Sequence, residues 1–596
     1  MSKKIPFFVL ILILVVSFFA MISVSKQESA IMDELAHIPA GYSYLRYLDF
    51  RLNPEHPPLI KAISAIPLMS MGLSFPVTQP SWTDNINDQW VAGNQFIYKS
   101  GNDADRIIFW ARLGPILLTL LLVVLIYIWA RELLGGWWGL LPAFLFAFSP
   151  TVLAHGHYVT TDIGAAFGVV LATYFFIKFL LKPTGKYLIF AGLAFGVAEL
   201  MKFSTVLLIP YFIALVLVWT IRKLPAQAGR RFWRKLLFLA AIFVIGYVLV
   251  YLVYFLFTLN YPISKQVADT QSILTSFKTR LFADIDIKMA GDKFLRPLAH
   301  YLLGVLMVSQ RSVGGNTAYF LGGISAAGWW YYFPVVFLLK EPIPSLILIF
   351  IALIFCLWNF MRSIKFKASC FMLYVSRFKD YLGTHLPEFA MLFFIIFYWL
   401  YSMQGKLNIG VRHILPTMPF IYILAAAGLK SWVNNKFWKH SFKISLIFVL
   451  LFWYLLETIF AYPFYLSYFN QFGGGVFGGY RYVTDSNYDW GQDLKRLTVF
   501  VEEKGIQKIA VDYFGGGDTK YYLGDKMENW WSNRGNPQDI GIEWLAVSVN
   551  TLQSALAKAA PGFERKSEDE YRWLQEIKNP FQPDYRIGTS IFVYKL

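Results

Sequence analysis

The sequence predicts an α-helical integral membrane protein. It reads as a polytopic bundle of about eleven transmembrane helices with a large first extracytoplasmic loop and a small C-terminal extracytoplasmic α/β domain. Three observations lead there. Of 596 residues, 57% are hydrophobic and only 15% charged, against about 25% charged in ordinary soluble domains. Apolar runs of about 20 residues, the length that crosses a bilayer, recur up to residue 462. The net charge of +17 collects in the short loops on one side of those runs. The same composition excludes disorder, which needs low hydrophobicity. Cys356 and Cys370 fall in or near a hydrophobic segment, which argues against a disulfide framework and a cysteine-based metal site.

The apolar runs lie near 6–25, 107–130, 137–154, 163–181, 187–201, 204–221, 236–258, 343–361, 388–403, 413–431 and 444–462. The first follows Ser2-Lys3-Lys4; its length and the lack of a small-residue cleavage site favour an uncleaved anchor over a signal peptide. The stretch 59–75, interrupted by Lys61, Pro67 and Gly72, reads as an interfacial helix. Trp329–Leu339 reads as interfacial or re-entrant, its aromatics more as a membrane-interface belt than as a sugar platform.

Lysine and arginine fix the orientation. With the N-terminus inside, the inner loops carry Arg131, Lys182, Lys186, Arg222, Lys223, Arg230, Arg231, Arg234 and Lys235. They go on with Arg362, Lys365, Lys367, Arg377, Lys379, Lys430, Lys436, Lys439 and Lys443. This is the positive-inside pattern, and it accounts for the basic excess without a nucleic-acid partner. Residues 1–462 then form the membrane domain, with the first extracytoplasmic loop at 26–106, and 463–596 the tail. In the tail, Asp489–Lys504 and Leu552–Ala559 read as helices, and Lys508–Tyr513, Trp544–Val549 and Thr589–Tyr594 as strands. Gly473-Gly474-Gly475 and Gly515-Gly516-Gly517 lack a P-loop pattern and read as turns.

Polar groups gather at the extracytoplasmic ends of the spans. They include Asp33 and Glu34 after the first span, His56-Pro57-Pro58-Leu59 in the first loop, and His155, His157, Thr161 and Asp162 before the fourth span. Lys202 stands between spans five and six, and Arg412-His413 between nine and ten. Ionisable groups at membrane depth are costly and tend to mark function. A carboxylate can take a proton from a hydroxyl, and lysine or arginine can hold a phosphate and stabilise it as it leaves. A phosphate leaving group at a membrane surface suggests a lipid phosphate. Each residue also has a structural reading. Asp33, Glu34 and Asp162 are favourable at helix N-termini, Lys202 could snorkel or pair with Glu199, and Glu457 reads as a satisfied core carboxylate. His155 and His157 read as polar loop residues rather than metal ligands.

At these motifs the sequence resembles the C-type membrane glycosyltransferases, in particular bacterial relatives of the protein O-mannosyltransferases (family 39) and the lipid A aminoarabinose transferases. The resemblance rests on Asp33-Glu34, His56-Pro57-Pro58-Leu59, Thr161-Asp162 and Lys202, in that order, and extends over about residues 1–460. The stretches Gly328–Pro334 and Asp485–Leu494 look like those of bacterial members. The resemblance implies transfer of a sugar from a polyprenyl-phosphate donor to a protein, lipid or polysaccharide acceptor on the extracytoplasmic face of a bacterial inner membrane, with inversion. It casts Asp33 as base or acceptor-orienting group, with Glu34 and Asp162 as further acidic positions and Lys202 as a phosphate ligand. His56 stands where aminoarabinose transferases carry lysine, and a neutral histidine is a weaker anion partner. Arg412 and His413 join the donor-phosphate set by position and chemistry. The first loop lacks a clear Asp-x-Asp motif, its one such spacing being Asp103-Ala104-Asp105 at its very end. The carboxylates could still share a divalent cation, Mg²⁺ or Mn²⁺, so metal dependence stays open. The rival reading is a glycolipid transporter or flippase, which would place ionisable groups at mid-bilayer on broken helices in matching halves.

Overall fold

The computed structural model describes residues 4–221, 228–365, 379–436, 439–560 and 563–596. Arg222, Lys223, Lys367, Cys370 and Arg377 lie outside the described residues. The chain is a polytopic helical membrane protein. Among the described residues, nine helices are long and apolar enough to cross a bilayer: Ile5–Gln27, Ala104–Leu134, Asp162–Leu181, Phe203–Thr220, Trp233–Phe257, Ile343–Met361, Leu386–Gln404, Val411–Asn434 and His440–Ala461.

Two of the eleven expected spans fall on shorter helices. The run 137–154 is divided into Gly136–Ala147 and Pro150–His155. Proline lacks an N–H and pushes the residue before it out of the helical region, and Ser149 sits at φ −63°, ψ 124°. The run 187–201 lies within the 17-residue helix Gly185–Met201. That helix packs closely between its neighbours through small residues: a Cβ on Gly196 would lie 2.6 Å from the carbonyl oxygen of Gly246. Small-residue contact of this kind lets helices approach in a bilayer, where burial of apolar surface gives little drive.

The first loop is largely helical, with Glu34–Tyr47, Leu59–Ala65 and a 3₁₀ continuation Ile66–Ser70. The apolar stretch read as an interfacial helix therefore ends five residues early. Lys61, which reads in the sequence as an interruption, is buried. Its three N–H groups are shared among four oxygens, Tyr44 Oη at 2.8 Å, the Asn53 carbonyl at 2.9 Å, Asn53 Oδ1 at 2.8 Å and the His56 carbonyl at 2.8 Å. It thereby clasps the turn that presents His56. A Cβ at Gly41 would stand 2.1 Å from the Lys61 carbonyl oxygen, so only glycine lets the two helices meet there.

The tail contains a mixed five-stranded sheet in the order Met527–Asn529, Ile509–Asp512, Trp544–Ser548, Ile591–Lys595, Tyr585–Ile587. The first three strands are parallel and the last two pairings antiparallel. The predicted strands at 508–513, 544–549 and 589–594 coincide with its three central members, and the predicted helices with Leu494–Glu503 and Val549–Leu556. The sheet buries Leu545, Ala546, Val547, Phe592 and Val593, the near-continuous apolar run expected where both faces are covered. Lys558–Ala559 pairs with Gly323–Ser325 from the loop before the eighth expected span. The tail is also stitched to the segment that follows the first helix: Ser29 N–H donates to the Gln492 carbonyl at 3.1 Å, Met32 N–H to Trp490 at 3.1 Å, and Gly516 N–H to Ala30 at 3.2 Å. First loop and tail therefore share one end of the bundle, called here the loop face.

Candidate functional site

The segment stitched to the tail leads directly into Asp33 and Glu34. Asp33 occupies the N-cap position of helix Glu34–Tyr47 without a side-chain capping bond, where the helix dipole favours negative charge. Successive residues on a helix point about 100° apart, so the two carboxylates face different neighbours. Glu34 turns inward. It forms a two-pronged ion pair with Arg112 (Nε to Oε1 2.8 Å, Nη2 to Oε2 2.7 Å) and accepts from the Ile31 and Val159 amides at 3.0 and 3.1 Å. Both side chains are fully buried. All four acceptor positions of the carboxylate are then filled.

Asp33 turns the other way, onto a cavity of about 730 Å³ between first loop, bundle and tail. Its Oδ2 accepts from Arg412 Nη1 at 2.8 Å, and the same nitrogen reaches Asp162 Oδ2 at 3.2 Å. Asp162 opens the helix Asp162–Leu181, and its Oδ1 accepts from Lys202 Nζ at 2.5 Å. Lys202 is placed by a one-residue break between Gly185–Met201 and the 3₁₀ turn Phe203–Leu207, where its backbone is extended at φ −159°, ψ 137°. Two carboxylates and two cations thus alternate along one wall. Asp162 is fully buried whereas Asp33 keeps 24% of its side chain exposed. Asp33 Oδ1 makes no hydrogen bond among the described residues.

His56 and His413 also line the cavity. The His56 ring meets His37 edge-to-face at 5.1 Å, and His37 Nδ1 donates to the Val159 carbonyl at 2.7 Å. Burial, reinforced by His37, Lys61, Lys202 and Arg311, holds the His56 imidazole well below its usual range. It is neutral at pH 7 and offers an N–H rather than a charge. His413 faces Phe333, with ring centroids 6.3 Å apart. The lining also carries apolar side chains, among them Phe203, Val206, Leu207 and Val305, interleaved with polar ones such as Ser204, Ser309 and Asn316. Of the expected site residues, Asp33, His56, Lys202, Arg412 and His413 line this cavity, Asp162 anchors its cations from behind, and Glu34 stands apart.

Four residues of the lining were not among the expected site residues: Arg311, Glu55, Asp485 and Trp490, the last two within the stretch 485–494 that supports the family resemblance without a role assigned to it. The Arg412 guanidinium lies 4.1 Å over the Trp490 ring. Asn487 Oδ1 accepts from Val411 N–H at 2.9 Å, and Ser486 Oγ donates to the Ile409 carbonyl, so the segment 485–493 also fixes the turn that carries Arg412. Asp485 sits in the left-handed region at φ 55°, and burial pushes its carboxyl up to about 6. The density of Asp, Asn, Trp and Gly in 485–493 was the available signal.

His155 and His157 do not converge. His157 Nε2 meets Glu28 at 3.0 Å, while the His155 ring lies beside Trp490 at 6.0 Å. Among the described residues, no group of three or more His, Cys, Asp or Glu side chains is placed to hold a metal ion. Asp33 and Asp162 already direct oxygens at one guanidinium, so this donor set does not fit a divalent cation.

Residues 107–254 match the family model described as dolichyl-phosphate-mannose-protein mannosyltransferase. Among solved structures, the chain is similar to the archaeal oligosaccharyltransferase AglB from Archaeoglobus fulgidus in complex with an inhibitory peptide and a dolichol-phosphate (12% identity, 92% of this chain and 71% of that chain, TM-score 0.47). It is similar to ArnT from Cupriavidus metallidurans bound to undecaprenyl phosphate (12% identity, 98% and 97% covered, TM-score 0.41). A third is the S. cerevisiae protein O-mannosyltransferase Pmt1-Pmt2 complex bound to the sugar donor (17% identity, 44% and 34% covered, TM-score 0.32). No curated protein matches the chain. The resemblance to the C-type membrane glycosyltransferases carried by the sequence motifs is met by a family match inside the membrane region, over residues 107–254.

Proposed function

We propose that the protein is a glycosyltransferase that moves a sugar from a polyprenyl-phosphate donor to a hydroxyl of a protein, lipid or polysaccharide acceptor, with inversion. The observation that carries this reading is the make-up of the cavity wall. An ion-pair row, with Lys202 and Arg412 tied to Asp162, suits a phosphate. The apolar side chains of Phe203, Val206, Leu207 and Val305 in the same wall suit a prenyl chain. Asp33 stands at the outer end of the ion-pair row, on Arg412, with one oxygen unengaged.

The donor phosphate lies against Lys202 and Arg412 and takes N–H groups from His56 and His413. Asp33 Oδ1 accepts the proton of the acceptor hydroxyl. The acceptor oxygen bonds to the anomeric carbon as the bond from that carbon to the phosphate oxygen breaks. The electron pair leaves on the phosphate, where the two cations stabilise it. The sugar passes through an oxocarbenium-like state. Asp162 is a positioning residue, because both its oxygens are committed to the cations. Glu34 positions Asp33 by fixing the start of its helix on Arg112. No step runs through a metal ion.

The loop face is extracytoplasmic in this reading, with the basic loops and the N-terminus in the cytoplasm of a bacterium. A single cysteine placed in the tail is then labelled from outside intact cells; labelling from the inside alone overturns the orientation. The reaction is tested with purified protein in lipid and a radiolabelled polyprenyl-phosphate sugar offered with membrane and envelope extracts. Transfer of label to an extract component is expected. Failure to bind any polyprenyl-phosphate sugar contradicts the donor class.

A further inference from the structure

A second cavity, of about 660 Å³, opens beside the last span beneath the triple-glycine loop, away from the catalytic cavity. We propose that it binds the head group of a lipid bearing a primary ammonium, in the leaflet on the loop face.

Glu457 forms the polar spot in its wall and is 8% exposed. Its Oε1 accepts from Trp453 Nε1 at 2.8 Å and from Gln471 Nε2, and its Oε2 accepts from Tyr468 Oη at 3.1 Å. Three of four acceptor positions are taken, all by neutral donors, and one on Oε2 is left over. No basic residue lines the cavity among the described residues, so its carboxylate has no counter-charge there. The same lining holds the rings of Trp453, Phe460, Tyr468, Phe469 and Phe477; Phe469 already has the Lys340 ammonium 4.7 Å over its ring, which leaves the other four. A carboxylate within a group of aromatic faces is the arrangement that attracts an ammonium, by charge and by the ring quadrupoles.

The lipid source follows from exposure. Phe460, in the lining, is 77% exposed and lies at the end of a membrane span. Such a ring faces acyl chains, so the cavity is entered from the bilayer. Gly474 and Gly475 adopt φ 79° and 64°, which lets the loop fold back over Glu457 without side chains filling the space.

The test uses the full chain in detergent, incubated with equal amounts of phosphatidylethanolamine and phosphatidylglycerol and examined by native mass spectrometry. Wild type is expected to retain one phosphatidylethanolamine in at least fivefold preference. Glu457→Gln should bring the two lipids to within twofold of each other, and Phe460→Leu should reduce the preference partly. Equal retention by wild type overturns the proposal, as does an undiminished preference in Glu457→Gln. If that variant does not fold, an unchanged preference in Phe460→Leu overturns it instead. Free ethanolamine at the same concentration should leave the lipid bound; displacement would assign the site to soluble amines and overturn the lipid reading.

Discussion

Asp33 and Glu34 are neighbours in the chain with opposite surroundings. Glu34 meets Arg112 in a fully buried pair with every acceptor position filled. Asp33 meets Arg412 at the wall of a cavity, shares it with Asp162, and keeps an oxygen free. Both are ion pairs of nearly the same length. The difference is in what remains unpaired. A carboxylate whose partners are complete holds structure together, and one with capacity to spare can exchange a proton or bind a ligand.

The comparison breaks most easily at the buried pair. Glu34→Ala leaves the Arg112 guanidinium buried without its counter-charge, a loss of about 3–5 kcal/mol in comparable cases. It is expected to lower the melting temperature sharply in fluorescence-detected chromatography, whereas Asp33→Asn melts close to wild type. Equal melting of the two variants would erase the distinction. Next in size are the cations. Lys202→Met and Arg412→Lys each remove a charge-assisted hydrogen bond, worth about 1.5–3 kcal/mol. Each should weaken polyprenyl-phosphate binding about tenfold to a hundredfold in a direct titration.

Smaller still is the effect of the ring beneath Arg412. Trp490→Leu removes a cation–π contact of about 0.5–2 kcal/mol and should raise the dissociation constant for the same lipid several-fold without loss of the tail fold. Asp485 adds a defined pH window. Its folded-state value, raised from 3.8 to about 6 by burial, means that it contributes stability below about pH 4 and that this is lost as pH rises through about 6. Asp485→Asn should therefore melt with wild type below pH 4 and above it beyond pH 6. A variant less stable than wild type at pH 8 contradicts the direction.

Much of the bundle is legible in the sequence because spans are long apolar runs, and their length is set by the bilayer rather than by tertiary detail. The exceptions have local causes. Pro150 divides one run, and the short run expected at 187–201 lies within the 17-residue helix Gly185–Met201, which glycine contacts hold close to its neighbours. The tail strands could be read from alternation and β-branched content. At the cavity, charge at the ends of spans picks out Asp33, Lys202, Arg412 and His413, because few reasons other than function put ionisable groups there. What sequence reading could not supply was direction. Nothing in Asp33-Glu34 says which side chain faces the cavity, since that depends on Arg112, 78 positions away from Glu34. Lys61 reads as a flaw in an apolar helix and turns out to be the clasp behind His56. Trp490 and Asp485 arrive from more than 450 residues beyond Asp33, joined to it by backbone hydrogen bonds that leave no pattern in side-chain type.

The central claim is that Asp33, and not its neighbour, carries the proton transfer. The most direct measurement is the transfer rate of Asp33→Asn from a radiolabelled polyprenyl-phosphate sugar, at donor concentrations that saturate both wild type and variant. The account predicts a loss of about 10²- to 10⁴-fold, the range for a missing general base, with donor affinity and melting temperature nearly unchanged. Transfer at the wild-type rate by a folded, donor-saturated Asp33→Asn would contradict it.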